Sequence, residues 1–224
     1  MCGRFTHKEK NRQLAQALNT IFPLDNPPRY NIAPSQMVAC VRNNPESPTR
    51  DYVELKWGLV PSWAKDVSIG HKMINARAET VAEKPSYRKA LKYHRCVVLA
   101  DGYYEWKREG KNKQPYYIQF KDQRMFCFAG LWKRWTKDNN GPPLETCAML
   151  TTGPNTIMER IHHRMPVILQ TCDYDTWLNP SIQTPELLSS LLQPYPPEEM
   201  EAYPVSTMVN NPRNDSEACI QTFR

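Results

Sequence analysis

Long apolar runs, glycines and paired cysteines are all scarce in this chain of 224 residues. No segment approaches the roughly 18 consecutive apolar residues that a membrane-spanning helix needs, so we expect no membrane partner. The opening sequence MCGRFTHKEKNRQ becomes polar and charged within a few residues and lacks the apolar stretch of a secretory signal. These absences predict a cytoplasmic protein.

The seven cysteines include no CxxC pair. Their odd number and the expected location disfavour disulfide bonds, and their spacing fits no zinc module, so we predict neither a metal site nor a cofactor. Cys96, Cys127 and Cys147 lie inside apolar runs and are predicted to be buried in the core. Cys2 stands outside any such run and is predicted to be exposed.

The charge balance is moderately basic, with a formal net charge of +6. A charge of this size permits an anionic partner without requiring one. The 20 prolines against eight glycines predict many short elements joined by rigid connections.

The apolar pattern predicts the elements. Helices are predicted at 8–22, 86–93, 155–163 and 185–193, and the proline-rich segment 22–36 is predicted to be an extended loop. From residue 38 onward, short runs rich in β-branched and aromatic residues predict an antiparallel sheet, including a hairpin with its turn at 108–113. Because strands and helices do not alternate regularly, we predict an α+β fold with no domain boundary in 1–224.

The position of Cys2 has chemical consequences. Methionine aminopeptidases remove an initiator methionine that precedes a small residue, so we expect Met1 to be lost and the Cys2 α-amine to be free. The amine, with a pKa of about 7.7–8.0, then lies beside a thiol with a pKa of about 8.5, which a cation such as Arg4 lowers. Such an aminothiol suits attack on a carbonyl or condensation with an aldehyde to a thiazolidine. The alternative is a small buried residue at the start of a strand.

Two residues are candidates for acid–base chemistry. Glu105 lies between aromatic residues at a predicted strand end, which favours a raised pKa, although an exposed strand position is the alternative. His162 has an ordinary pKa near neutrality and follows a predicted short helix, where it suits either proton transfer or capping of that helix.

Other polar residues suit binding of a phosphate or a base. Asn75 and Arg77 share one face of an extended segment and suit a phosphate with its sugar, the alternative being a salt bridge between Arg77 and Glu79. Trp63 lies in a polar loop and suits stacking on an unpaired base, or forms a lid on the core. Further polar positions are Thr151 in LTTGPNT and Arg164 in RIHHRMPVIL.

Seven segments follow one another in a combination that is much more specific than any one of them. They are MCGRF at 1–5, YNIAPSQ at 30–36, WGLVPSWAKD at 57–66, INARAET at 74–80, ADGYYEW at 100–106, IHHRMPVIL at 161–169 and VNNPRND at 209–215. This order resembles the SRAP family (SOS response-associated peptidase domain) over nearly the whole chain. The resemblance implies a single compact α+β domain over 1–224, with a barrel-like antiparallel core and a few short helices.

The resemblance also implies a function in the response to DNA damage. The family senses abasic sites in single-stranded DNA and captures them covalently, so the resemblance implies a thiazolidine crosslink formed by Cys2. A protein bound in this way would be associated with the nucleoid. The sequence shows no sign of oligomerisation, and we predict a monomer.

The resemblance assigns roles to individual residues. The implied catalytic set is Cys2 as nucleophile, Asn75 on the ring-opened sugar, Glu105 beside the N-terminal amine and His162 in ring opening. The implied DNA-binding set is Arg4, Trp63, Arg77, Thr151 and Arg164. Two departures stand out: His163 replaces an aspartate that many members carry, which leaves its role open, and Ala64 replaces a second tryptophan.

Two rival functions remain open. Cys2, Glu105 and His162 also resemble a nucleophile, base and orienting residue of a cysteine peptidase that removes Met1. Alternatively, the chain binds intact single-stranded DNA through Trp63 and its arginines without forming a covalent product.

Overall fold

The computed structural model describes residues 2–8, 12–23, 26–44, 46–137 and 141–223. Most of this described chain forms β-strands. In chain order they are β1 (Arg4–His7), β2 (Arg29–Ile32), β3 (Met37–Arg42), β4 (Asp51–Trp57), β5 (Asn75–Arg77), β6 (Arg95–Ala100), β7 (Gly102–Glu109), β8 (Asn112–Phe120), β9 (Phe126–Trp135), β10 (Leu144–Thr152), β11 (Met165–Pro166), β12 (Ile168–Leu169) and β13 (Met200–Pro204).

Five of these strands close into a barrel. The hydrogen-bonded order is β10-β4-β3-β6-β9, and β9 pairs back onto β10. Closure removes the unpaired edges that an open sheet would expose. The predicted α+β fold with a barrel-like core is therefore confirmed. One detail differs from the antiparallel expectation, because β4 and β5 both run parallel to β10.

A second sheet covers one side of the barrel, with the order β13-β8-β7-β1-β2. The predicted hairpin is β7–β8, and its turn is tighter than 108–113, since Glu109 pairs directly with Asn112. Gly110 has a φ of +61°, which favours glycine in this two-residue turn. Phe5 of the second sheet packs edge-to-face on Trp57 and Phe128 of the barrel, with ring centroids 5.4 and 5.8 Å apart. The core thus runs continuously between the sheets.

The helices are short. They are α1 (Arg12–Ala17), α2 (Arg88–Tyr93), α3 (Tyr174–Leu178) and α4 (Pro185–Ser190). The predictions at 86–93 and 185–193 are confirmed as α2 and α4, whereas the helix predicted at 155–163 is only a 3-10 turn over Met158–Arg160.

Two elements predicted in the first 36 residues have different boundaries in the structure. The helix predicted over 8–22 ends at Ala17, and Ile21, placed on its apolar face, is 83% exposed. The first part of that prediction, residues 9–11, lies outside the described residues. The segment 22–36 is not entirely a loop, because β2 forms within it and pairs with β1. Strand pairing to a distant segment thus overrides the local proline-rich composition.

The cysteines fall into two groups. Cys96, Cys127 and Cys147 are buried, as predicted. Cys2 is buried too, which corrects the expectation that it is exposed, and Cys172 is exposed instead. Among the described residues, no helix is long and apolar enough to cross a membrane, and no cluster of three or more His, Cys, Asp or Glu side chains could hold a metal ion.

Candidate functional site

The site lies where the start of the chain meets β5. Asn75 opens this three-residue strand, which runs parallel to β10 and pairs Asn75 with Met149. The Asn75 Nδ2 group donates to the Cys2 carbonyl at 2.8 Å. Its Oδ1 atom is buried and accepts no hydrogen bond from the described residues. Asn75 therefore fixes the Cys2 backbone and offers a free acceptor beside it.

Cys2 has a neutral thiol in this environment. Burial, together with the nearby charge of Glu105, raises its pKa well above the ordinary value for cysteine. The thiol donates weakly to the Arg4 carbonyl at 3.6 Å. The prediction that Arg4 lowers this pKa is therefore wrong, because desolvation outweighs any nearby cation.

Glu105 lies within β7 rather than at a strand end, and its side chain is buried. Burial raises the pKa of its carboxyl group, which confirms the predicted direction. Side chains alternate along a strand, so Glu105 shares its face with Tyr103, while Tyr104 points to the opposite face, where its hydroxyl donates to the Tyr30 carbonyl at 2.6 Å. The sheet face, rather than the adjacent aromatics in the sequence, thus creates the apolar environment.

His162 stands opposite Glu105. Its Nδ1 atom lies 3.9 Å from Glu105 Oε1 and accepts from the Arg164 backbone N–H at 3.1 Å. Burial lowers the pKa of the imidazole, so it is neutral at pH 7. With Nδ1 accepting, Nε2 carries the proton in the matching tautomer. A protonatable carboxyl group and a neutral imidazole therefore stand side by side.

His163 lies at the entrance to this pair. Its ring is inclined by 31° to that of His162, with the centroids 4.3 Å apart, and it is exposed. Both histidines line an open cleft of about 640 Å³ that extends from Glu105 to the β7–β8 hairpin, where Arg108 and Lys113 also line it. The cleft is wide enough for a flexible polymeric ligand to reach the pair.

Arg164 is held tightly in place. Its guanidinium forms a two-point salt bridge with Glu79, at 2.5 and 2.9 Å, and donates to the Thr151 carbonyl at 2.6 Å. Thr151 has no exposed surface, and its hydroxyl also contacts Arg164, at 3.2 Å. Thr151 therefore contacts Arg164 in this structure, and its predicted contact with DNA stays a prediction.

Arg77 and Trp63 are the exposed members of the predicted binding set. Arg77 forms no ion pair within the described residues, and Glu79 pairs with Arg164, so the alternative of an Arg77–Glu79 salt bridge is wrong. Trp63 is 61% exposed and does not form a lid on the core. Both side chains are available to a ligand.

Arg4 faces away from the other predicted residues. Its guanidinium donates to Asn31 Oδ1 at 2.8 Å and to the backbone carbonyls of Val209 and Asn210 at 2.5 and 3.1 Å. These contacts occupy the side chain in joining β1 to the C-terminal segment. The structure thus gives Arg4 contacts within the protein, and its predicted phosphate contact stays a prediction.

Tyr103 is the residue that sequence reasoning missed. Its hydroxyl is buried and forms no hydrogen bond with the described residues. Burial and the nearby Cys2 and Glu105 raise the pKa of this hydroxyl. The strand alternation of ADGYYEW was the available signal, since it places Tyr103 and Glu105 on one face. Together with Asn75 Oδ1, this hydroxyl leaves two unsatisfied polar atoms beside Cys2.

The site therefore combines a buried thiol, a carboxyl group beside an imidazole, and unsatisfied polar groups. Buried polar groups are normally paired, and exceptions mark places where a ligand completes the hydrogen bonds. The low local polarity also keeps the Cys2 thiol and the Glu105 carboxyl protonated more than in water. Such a site suits proton transfers around a carbonyl carbon.

Comparisons with known proteins agree with one another. Residues 1–212 match the family model described as SOS response associated peptidase (SRAP). The chain is 47% identical to a protein of Bacillus subtilis (strain 168) named abasic site processing protein YoqW, over 99% of this chain and 100% of that protein. It is 35% identical to a Gallus gallus protein named abasic site processing protein HMCES, over 80% of this chain and 60% of that protein.

A solved structure shows the same fold. The crystal structure of a protein from Bacteroides thetaiotaomicron superposes with a TM-score of 0.88 at 30% sequence identity, and the match covers 100% of both chains.

Proposed function

Because the chain belongs to the SOS response associated peptidase (SRAP) family, we propose that it processes abasic sites in DNA. The finer proposal is that it captures the abasic sugar of single-stranded DNA in a covalent thiazolidine formed by Cys2 after Met1 is removed. Met1 itself lies outside the described residues. The observation that carries the proposal is the hydrogen bond from Asn75 to the Cys2 carbonyl, with Glu105 and His162 on the same side of the molecule.

The first step opens the sugar. An abasic deoxyribose interconverts between a closed hemiacetal and an open aldehyde, and only the aldehyde reacts with an amine. His162, neutral at pH 7, moves the hydroxyl proton as the ring opens. Asn75 Oδ1 accepts a hydrogen bond from the sugar hydroxyl that ring opening releases. The open form is thereby held next to Cys2.

The second step joins amine and aldehyde. The Cys2 α-amine attacks C1′ and forms a carbinolamine, and loss of one water gives the protonated imine. Glu105 donates the proton that the leaving water requires, since burial raises its pKa and favours the protonated carboxyl group. No oxidant or reductant is needed.

The third step closes the ring. The Cys2 sulfur attacks the imine carbon, and its proton passes to Glu105, so that aldehyde and aminothiol give thiazolidine and water. The raised thiol pKa means that the sulfur stays protonated until the imine has formed. The amine therefore reacts before the thiol.

The exposed residues position the DNA. Arg77 contacts a phosphate next to the abasic site, Trp63 stacks on an unpaired base, and Arg164 supports the site through Glu79 and Thr151. A single strand presents the sugar without the cost of opening a duplex, which favours single-stranded over double-stranded substrates.

A direct test is incubation of the purified protein with an abasic single-stranded oligonucleotide. We expect a heat-stable conjugate whose N-terminal tryptic peptide carries the mass of the sugar. Cys2→Ala should give no stable conjugate, whereas Cys172→Ala, which removes an exposed cysteine outside the site, should crosslink at the rate of the unmodified protein. Equal crosslinking by Cys2→Ala would overturn the proposal.

A peptidase is the second candidate function, favoured by the description of the family model. In it, Cys2, Glu105 and His162 remove Met1 from the chain itself. The intact mass of a Cys2→Ala protein, produced in cells without methionine aminopeptidase, separates the two sources of Met1 removal. Retention of Met1 in the variant, with loss of Met1 in the unmodified protein, would support self-cleavage.

A further inference from the structure

Helix α2 carries an unusually uniform charge. Its sequence RKALKY presents Arg88, Lys89 and Lys92 to solvent, while Ala90 and Leu91 face the core. Within the described chain, none of the three cations forms a salt bridge. Arg88 and Lys92 lie one turn apart on the helix, where like charges repel each other. The exposed face of α2 is therefore a row of cations without an acidic partner.

The helix itself does not need this arrangement. The first turn of a helix favours acidic residues, because its backbone N–H groups point outward. In α2 that turn contains Arg88 and Lys89 and no acidic residue. The positive charges of Arg88 and Lys89 therefore lie at the positive end of the helix dipole, where they destabilise the helix. This argues that they have a role other than stabilising it.

An aromatic cavity lies at the end of α2. It has a volume of about 320 Å³ and is lined by Tyr93, His94, Arg95 and Trp132, among others. Tyr93 is 48% exposed, and the ring of Trp132 stacks edge-on against His94 with centroids 4.9 Å apart. The Arg42 guanidinium covers one face of Trp132, 4.1 Å from the ring centroid, so Tyr93 is the exposed aromatic ring on which a base of a single strand could stack.

The cavity also contains an unsatisfied polar atom. Arg95 is buried beneath it, and among the described residues its guanidinium donates only to backbone carbonyls, including Leu91 and Ile182 at 2.5 and 2.9 Å. His94 Nδ1 is buried and has no hydrogen-bond partner in the described part of the chain. A base in the cavity would therefore meet the unsatisfied Nδ1 atom of His94, whereas the donors of Arg95 are already occupied.

The cationic row is continuous with the site. Tyr87, the residue that precedes α2, donates from its hydroxyl to the Asn75 carbonyl at 3.3 Å. From there α2 advances about 9 Å at a rise of about 1.5 Å per residue, so its cations can face successive phosphates of one strand. A strand leaving the site can follow the helix.

We propose that the exposed face of α2 binds the phosphates of the DNA strand that flanks the abasic nucleotide, and that the cavity beside Tyr93 and Trp132 receives a base of that strand. This rests on the proposed function for the identity of the polymer. The occupant is a single strand, because its bases are free to stack on aromatic side chains.

The test measures binding to an intact single strand of about 20 nucleotides over a range of salt concentrations. The variant Arg88→Gln/Lys89→Gln/Lys92→Gln removes three charges and keeps long side chains that favour helix. Each phosphate contact to a single strand contributes about 0.7 to the slope of log affinity against log salt, so the slope should fall by about 2.

A charge-matched control removes three exposed cations elsewhere, Arg12, Lys121 and Lys137, by substitution with glutamine. The control should keep the slope of the unmodified protein. Equal slopes for the α2 variant and the unmodified protein, or equal losses in both variants, would overturn the proposal. Unchanged thermal unfolding of the α2 variant establishes that the helix is intact.

The cavity is tested through Tyr93. Tyr93→Ala should weaken binding of the long strand by about tenfold through loss of stacking, and Tyr93→Phe should restore it. Neither variant should alter conjugate formation with an abasic oligonucleotide of about four nucleotides, which is too short to reach the cavity. An equal loss with the short oligonucleotide would contradict the assignment.

The two proposals fail in different ways. Binding to an intact strand involves no aldehyde, so the salt slopes report on α2 even if no conjugate ever forms. Conversely, normal conjugate formation with a short abasic strand, combined with unchanged slopes, would leave the site chemistry standing and remove α2 from the DNA path.

Discussion

At the scale of single residues, the chemistry depends on where protons reside. Glu105 is buried and its pKa is raised, His162 is half-buried and its pKa is lowered, and both shifts have desolvation as their main cause. Desolvation favours the neutral form of each group. Both groups are therefore neutral over a wider pH range than in water, with Glu105 as a proton donor and His162 as a proton acceptor.

Replacement of Glu105 by glutamine should stabilise the protein at neutral pH and slow the reaction. A carboxyl with a raised folded pKa stabilises the fold fully below its unfolded pKa of about 4.3, and this contribution is lost as the pH rises through the folded pKa. Glu105→Gln should thus raise the free energy of unfolding by about 1 kcal/mol at pH 7 and leave it nearly unchanged at pH 4. Conjugate formation should slow by about 100-fold.

Denaturant unfolding at the two pH values and single-turnover conjugation measure these effects. Glu109→Gln, at an exposed position of the same strand, serves as the control and should change neither quantity. A stability gain for Glu105→Gln that is the same at pH 4 and pH 7 would contradict the role of ionisation.

At the scale of elements, β2 ties the C-terminal segment to the sheet. Asn31 is fully buried, and its Nδ2 group donates to the carbonyls of Val209, Asn211 and Asn214 at 2.7–3.1 Å. Its Oδ1 atom accepts from Arg4. Asn31 and Arg4 together hold the VNNPRND segment against β1 and β2. Three of the sequence motifs, MCGRF, YNIAPSQ and VNNPRND, therefore contact one another in the fold.

Asn31→Ala should destabilise the protein by about 3 kcal/mol. The substitution removes one acceptor of the Arg4 guanidinium and the side-chain donor to three backbone carbonyls, and each such loss costs about 1–3 kcal/mol before relaxation. Urea denaturation measures the change. Asn43→Ala, at a half-buried position with no hydrogen bond within the described residues, should cost less than about 1 kcal/mol. Similar costs for both variants would show that the Asn31 contacts contribute little.

At the scale of the whole molecule, a closed barrel and a covering sheet bring the start of the chain beside residues from its middle. Asn75 lies 73 positions from Cys2, and Glu105 and His162 lie farther along. The site is therefore assembled only when the complete fold is formed. The single domain over 1–224, the monomeric state and the cytoplasmic location stay predictions.

The proposed chemistry requires a free α-amine at the N-terminus and no particular group at the C-terminus. A short peptide tag that remains on the N-terminus should abolish conjugate formation, because the Cys2 α-amine is then an amide that does not attack an aldehyde. The same tag on the C-terminus should leave the rate unchanged. Melting temperatures of both tagged proteins establish that the fold is retained, and conjugation by the N-terminally tagged protein would count against the amine as nucleophile.

Much of the fold follows from local sequence patterns. Apolar runs such as RCVVLA identified the barrel strands and the buried Cys96, because a strand covered on both faces is apolar at every position. The β7–β8 hairpin and α2 were predicted for similar reasons. The length of α1 was not predicted correctly. The apolar spacing in the sequence continues past Ala17, whereas in the structure the helix ends there and Ile21 is exposed.

The sequence by itself determined the family, through the order of its motifs, and the residue types available for chemistry. Only the tertiary structure decided which of them act together. It buried Cys2, raised the pKa of its thiol and joined Arg4 to the C-terminal segment. These properties depend on desolvation and on contacts between segments far apart in the chain, and local residue patterns contain no information about either.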